Sequence, residues 1–185
     1  MSRTANHTSR TTDRTANGSE GHVMDHTERR LLFRRHATAM FRGHRTESHR
    51  IERLIYPDHY AAHQLFIQTL FVSCLFDHFG EELDRAELRR FIDRLRSERP
   101  GVSPLKTEAL VRVFYGEARL YTEIPQADHW TCMWTSAQMI VGVDRSDAEL
   151  AELYDQAEAV GREMVSGVFA AGGLFGFRCE EGTER

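Results

Sequence analysis

The amino-acid sequence predicts an all-α protein, a single orthogonal or up-down bundle of about six helices wrapped around a buried helix over residues 58–79. Three observations carry this. Residues 59–76 run for eighteen positions without an Asp, Glu, Lys or Arg, so that stretch has the polarity of a core helix rather than a surface one. Elsewhere apolar side chains recur at the i, i+3, i+4 spacing of helices, and no stretch alternates with the two-residue period of a strand. The breaks between these segments carry helix start and stop residues, among them Gly80, Asp84, Pro104, Pro125, Gly142 and Ser146.

Residues 1–27 are rich in Ser, Thr, Asn, Gly and Arg and poor in apolar side chains, which predicts a disordered basic arm with too little surface to bury against the entropy of ordering. The helical domain is expected over 28–177. Its first helical pattern starts at Glu28 with Leu31, Leu32, Phe33, Met40 and Phe41, and Gly43 interrupts it. A second piece over 46–56 places Ile51, Leu54 and Ile55 on one side before Pro57 stops it. The charge-poor helix follows and ends at Gly80, a residue suited to a left-handed cap.

Asp84 with Glu87 three residues on has capping-box spacing, so a helix starts at Arg85 with Leu88, Phe91, Ile92 and Leu95 on its buried face. Ser103 followed by Pro104 opens the next helix, expected over 104–121 with Leu105, Leu110, Val113, Phe114 and Tyr121 as its apolar stripe. Asp128 is expected to cap a helix carrying Trp130, Met133, Trp134, Ala137 and Val141. Ser146 with Glu149 opens a long last helix marked by Leu150, Leu153, Tyr154, Ala157, Gly161, Met164 and Val168. The run GVFAAGGLFGF over 167–177 is apolar and glycine-rich and is expected to fold back on the core or to meet a second subunit. Residues 178–185 read as a disordered tail.

Charge is distributed unevenly along the 185 residues, whose formal net charge is −4. Residues 1–56 hold eleven Arg against six acids, a net of +5, which leaves −9 for the remainder. Opposite signs in the two parts suit intramolecular docking, an acidic partner or nucleic acid. Cys74, Cys132 and Cys179 are odd in number and form no CxxC pair, which fits a reducing, cytoplasmic setting better than a disulfide framework. No secretory signal is expected at the N-terminus. His59, His63, Gln64, Gln68, Thr69 and Ser73 interrupt the charge-free run, which argues for a soluble core helix over a membrane span.

Chemistry-bearing residues fall into a few groups. His59 and His63, at i and i+4, share a helix face in the geometry two imidazoles use to grip a divalent metal. A rival metal cluster is Asp77, His78, Glu117 and His129, brought together at the opposite end of the bundle about 22 Å away at 1.5 Å per residue. Glu117 is expected on the core-facing stripe, with its pKa raised by burial. Phe114, Tyr121, Trp130 and Trp134 are candidates for an apolar ligand pocket. Arg34, Arg35, Arg42 and Arg45, within the basic stretch 29–53, are candidates for nucleic-acid contact. No G-x-S-x-G, P-loop, G-x-G-x-x-G or H-E-x-x-H sequence occurs, so those catalytic routes have no support.

The function this predicts is a non-catalytic cytoplasmic helical interaction or regulatory module that self-associates, with a homo-oligomer or another protein as partner and no membrane. A metal-dependent helical enzyme using the clustered His, Asp and Glu side chains is the alternative, and nucleic-acid binding through 29–53 the second.

Overall fold

A computed structural model describes the backbone of residues 24–170 and the side chains of residues 24–166. The disordered arm expected over 1–27 therefore lies outside the described residues up to residue 23. So do the expected disordered tail 178–185 and the end of the apolar run 167–177. The described residues form helices joined by short connections, with no strand among them: α1 (His26–Phe41), α2 (Arg45–Ile55), α3 (Tyr60–Phe79), α4 (Arg85–Glu98), α5 (Pro104–Phe114), a short 3-10 helix (Ala118–Glu123), α6 (Gln126–Val141) and α7 (Asp147–Ala170).

The helix boundaries follow local chemistry. α1 begins two residues before the expected Glu28, because Asp25 and Glu28 close a reciprocal capping box. The Asp25 carboxylate accepts from Glu28 N–H at 2.8 Å, and the Glu28 carboxylate accepts from Asp25 N–H at 3.1 Å. α1 and α2 are separate helices, joined across Gly43, whose φ of +69° suits a residue without a Cβ. Ser146 and Glu149 close a second reciprocal cap at the start of α7.

Two expected boundaries differ. The 104–121 helix stops at Phe114, where Gly116 takes φ +99° and the chain re-enters as the 3-10 helix, and this leaves Tyr121 exposed instead of on a buried stripe. α6 starts at Gln126 behind Pro125, so Asp128 is no cap; its carboxylate receives Lys106 Nζ at 2.7 Å. Leu54 and Leu105, expected on apolar faces, are also exposed.

Packing is densest on α3, whose residues 69–75 are buried without interruption. α7 and α6 cover it most extensively, and α1 also meets it. α1 packs on α2, and α4 on α5. Among the described residues no helix is long and apolar enough to cross a membrane. Phe71 is 1% exposed and meets Phe114 edge-on at 5.5 Å. Phe71→Ala is expected to destabilise the fold by about 3–5 kcal/mol, read as a lower urea midpoint at unchanged m-value.

Candidate functional site

The most unusual polar arrangement lies where α1, α2 and α3 converge. His36 occupies the buried stripe of α1 with Leu32, Phe33 and Ala37; Ser48 opens the buried stripe of α2 ahead of Ile51 and Ile55; His63 precedes Phe66 and Ile67 on α3. Helical spacing thus turns all three side chains inward, where each is 3–4% exposed. His36 Nδ1 stands 3.0 Å from His63 Nε2, and Ser48 Oγ lies 3.2 Å from His36 Nε2 and 2.9 Å from Met40 Sδ.

The proton directions in this chain follow from where the Ser48 hydroxyl points. With the hydroxyl directed at Met40 Sδ, which can only accept, the Ser48 oxygen accepts from His36 Nε2–H. Burial lowers the pKa of His36, with His49 acting in the same direction and Glu52 opposing, so the ring is neutral and its Nδ1 carries a lone pair. His63 Nε2–H fills that lone pair. The His63 ring is neutral in turn, its pKa pushed down to about 3 by burial and by the adjacent His36. Its Nδ1 therefore ends the chain as an acceptor, and none of the hydrogen bonds described engages that atom.

His36 and His63 form part of the wall of a cavity of about 570 Å³, a volume ordinary for a small-molecule site. Tyr56 and Tyr60 flank it with rings 5.9 Å apart. Trp130 from α6 forms another wall, 6.2 Å from the His63 ring, and Gln64, Glu52 and Arg53 add polar groups. Trp134 lies behind this wall, against His36 and Phe41, with its Nε1–H buried and unpartnered. Ser48 does not line the cavity.

A second concavity, apolar and about 460 Å³, runs between α1, α3 and α7.

The structure separates most of the residues that the sequence grouped. His59 precedes α3 outside the helix and does not line the cavity; the partner of His63 is His36. Asp77 is paired with Arg145 at 2.7 Å, and His78 packs against Phe79 and Phe91. His129 bonds the Ile124 carbonyl and stacks near Tyr121. Glu117 is held between Arg112 and Arg85, each at 2.5 Å. Its pKa is lowered to about 2 by the Arg112 hydrogen bond, the reverse of the expected rise, because Gly116 turns it off the core-facing stripe. Among the described residues no group of three or more His, Cys, Asp or Glu side chains is arranged to hold a metal ion.

The aromatic set is also divided. Trp130 lines the cavity, Trp134 is buried behind it, Phe114 packs on Phe71, and Tyr121 is exposed. Of the arginines, Arg34 pairs with Glu158 and Asp155, Arg35 with Glu47, and Arg42 with Asp147 and the carbonyls of Val143 and Arg145. Arg45 is exposed. His36 and Ser48 escaped sequence reading, although His36 falls in register with Leu32 and Phe33, and Ser48 with Ile51 and Ile55.

Comparisons with protein-family models, with curated proteins and with solved structures find no match.

Two measurements check the chain. Long-range ¹H–¹⁵N spectra should show both His36 and His63 as Nε2–H tautomers, and a Nδ1–H signal on either would contradict the assignment. Histidines with depressed folded pKa bind fewer protons than the unfolded chain, so stability should fall as pH drops below about 6.5, at up to about 1.4 kcal/mol per pH unit for one buried ring. For His63 that loss continues to about pH 3. Urea midpoints at pH 7 and pH 5 test it, and His63→Leu should flatten the dependence.

Proposed function

We propose that the chain is a non-catalytic helical regulatory module that takes a small, largely aromatic ligand bearing one hydrogen-bond donor in the cavity between α1, α2, α3 and α6. The observation that carries this is the buried Ser48–His36–His63 chain ending on an aromatic-walled cavity that His63 lines; with Ser48 donating to Met40 Sδ, His63 Nδ1 is left as an acceptor for the ligand. A cavity with a few convergent polar groups and depressed pKa values has the features expected of a ligand site.

The same chain argues against chemistry by these residues. The Ser48 proton is committed to Met40 Sδ and its oxygen lies behind His36, so it is no nucleophile for a bound molecule. An imidazole with a pKa near 3 is a weak general base at neutral pH. What remains is recognition, with the lone pair selecting O–H or N–H.

The finer architecture belongs to this proposal: one bundle organised about α3, supported by the cover that α7, α6 and α1 give it. The proposed setting is cytoplasmic, where Cys74 and Cys132 remain buried thiols. Leu54, Tyr56 and Tyr60 are exposed on the α2–α3 corner that bounds the cavity, and they are the proposed route by which occupancy reaches a protein partner, in the first instance a second copy.

Phenol and anisole share a ring, but only phenol has an O–H. Calorimetric titration should show phenol binding and anisole weaker by roughly tenfold, since one hydrogen bond contributes about 0.5–1.5 kcal/mol. Equal affinities, or unchanged phenol affinity in folded His63→Leu, would refute the reading.

A further inference from the structure

α7 is longer than the core that supports it. Its first three turns bury Leu150, Leu153, Tyr154 and Ala157. Beyond Gly161 the helix continues, but Met164 and Val165 are 43% and 38% exposed. Beside this uncovered half lies the apolar groove of about 460 Å³, floored by Ala62, Leu65 and Phe66 of α3 and walled by Phe33 of α1 and Val165 of α7. Small residues keep it open: Ala62 offers one methyl, and Gly161 approaches Thr69 so that an added Cβ would touch it at 3.5 Å.

We propose that this groove is the docking site of the chain's own residues 174–177, Leu-Phe-Gly-Phe, which fold back along α7. Position, length and chemistry all point to that occupant. The segment follows directly from α7, the helix that forms one wall. Ala170 lies about 13 Å beyond Gly161 at 1.5 Å per residue, and the seven residues 171–177 span up to about 23 Å when extended, enough to return. Gly172 and Gly173 stand where the reversal is required, and glycine adopts the left-handed backbone that ends helices without steric cost.

Leu174, Phe175 and Phe177 supply three large apolar side chains for an apolar groove. The charge also matches. His26, Arg29, Arg30 and Arg162 are among the groove's lining residues, and Arg30 is already paired with Asp155 and Glu158. Glu180 and Glu181 follow the apolar segment and would meet Arg29 and Arg162. Docking in this way covers the second half of α7. It is independent of the ligand cavity, which shares α1 and α3 with the groove but none of its lining residues.

Cys179 provides the test. Cys74 and Cys132 are 0% and 2% exposed, so a thiol-reactive nitroxide added to the folded full chain labels Cys179. In ¹⁵N-labelled protein carrying the nitroxide and diluted into unlabelled protein, the amides of Ala62, Leu65 and Val165 should broaden strongly and recover on reduction of the label. The broadening should disappear in Leu174→Ser/Phe175→Ser, and in Val165→Glu, which changes an exposed groove position and leaves the core intact. Absence of broadening would overturn the proposal. So would broadening seen only when nitroxide and ¹⁵N are on different molecules, since that places the segment in a second copy. Retention of full broadening in both variants would do so as well.

Discussion

The structure depends on covering the buried run of α3. Seven consecutive residues, 69–75, are buried, and a largely apolar run of that length is stable in water only against other helices. α7, α6 and α1 meet that requirement. The few polar groups α3 carries inward are handled locally: Thr69 donates to the Phe66 carbonyl at 3.0 Å, and His63 joins His36. Ser73 and Ser136 retain buried hydroxyls without partners, at the cost such groups carry.

The opposite charges of the two parts of the chain are used within the molecule. Arg30 and Arg34 of α1 face Asp155 and Glu158 of α7, with Arg34 and Glu158 the best shielded of the four at 17% and 14% side-chain exposure. Arg34 also lies over the Tyr154 ring at 5.8 Å, and the Tyr154 hydroxyl bonds Thr38 at 2.8 Å. Arg42 adds the loop before α7 through two carbonyls and Asp147. Exposed ion pairs contribute little each, so their main effect is to set how α1 lies along α7. That placement brings His36 opposite His63 and leaves the apolar groove on the other side of α1. Consuming these guanidinium groups internally takes three of the eight arginines of residues 29–53 out of the basic surface that the stretch presents on paper.

Sequence legibility followed the range of the interactions involved. Starts and stops set by neighbours three or four residues apart were readable: Asp84 before α4, Ser103–Pro104 before α5, and Ser146 with Glu149 before α7. The Asp25–Glu28 box was equally local, but it sat at the edge of a polar stretch that composition marked as unstructured. Glu117 illustrates the failure of periodicity. The stripe that placed it on the core face assumes an unbroken helix, and Gly116 ends that assumption one residue earlier. For the candidate site, His63 was legible as an inward-facing imidazole. Its partner was sought at i+4 spacing on the same helix, whereas it came from α1, twenty-seven positions away.

That difference changes what the site can do. Two imidazoles at i and i+4 on one helix face can turn a nitrogen each toward a shared metal. Two imidazoles from crossing helices meet edge to nitrogen, with centroids 4.8 Å apart and planes at 68°, and each uses one nitrogen on the other. A third polar residue, Ser48, then completes the chain from α2, and the sulfur of Met40 decides its polarity because it can only accept. The outcome is one lone pair, at His63 Nδ1, whose availability is set by a thioether three side chains away. Changing Met40 to a residue without an acceptor would free the Ser48 proton to point at His36 Nε2, reverse both tautomers, and turn the same cavity wall from an acceptor into a donor.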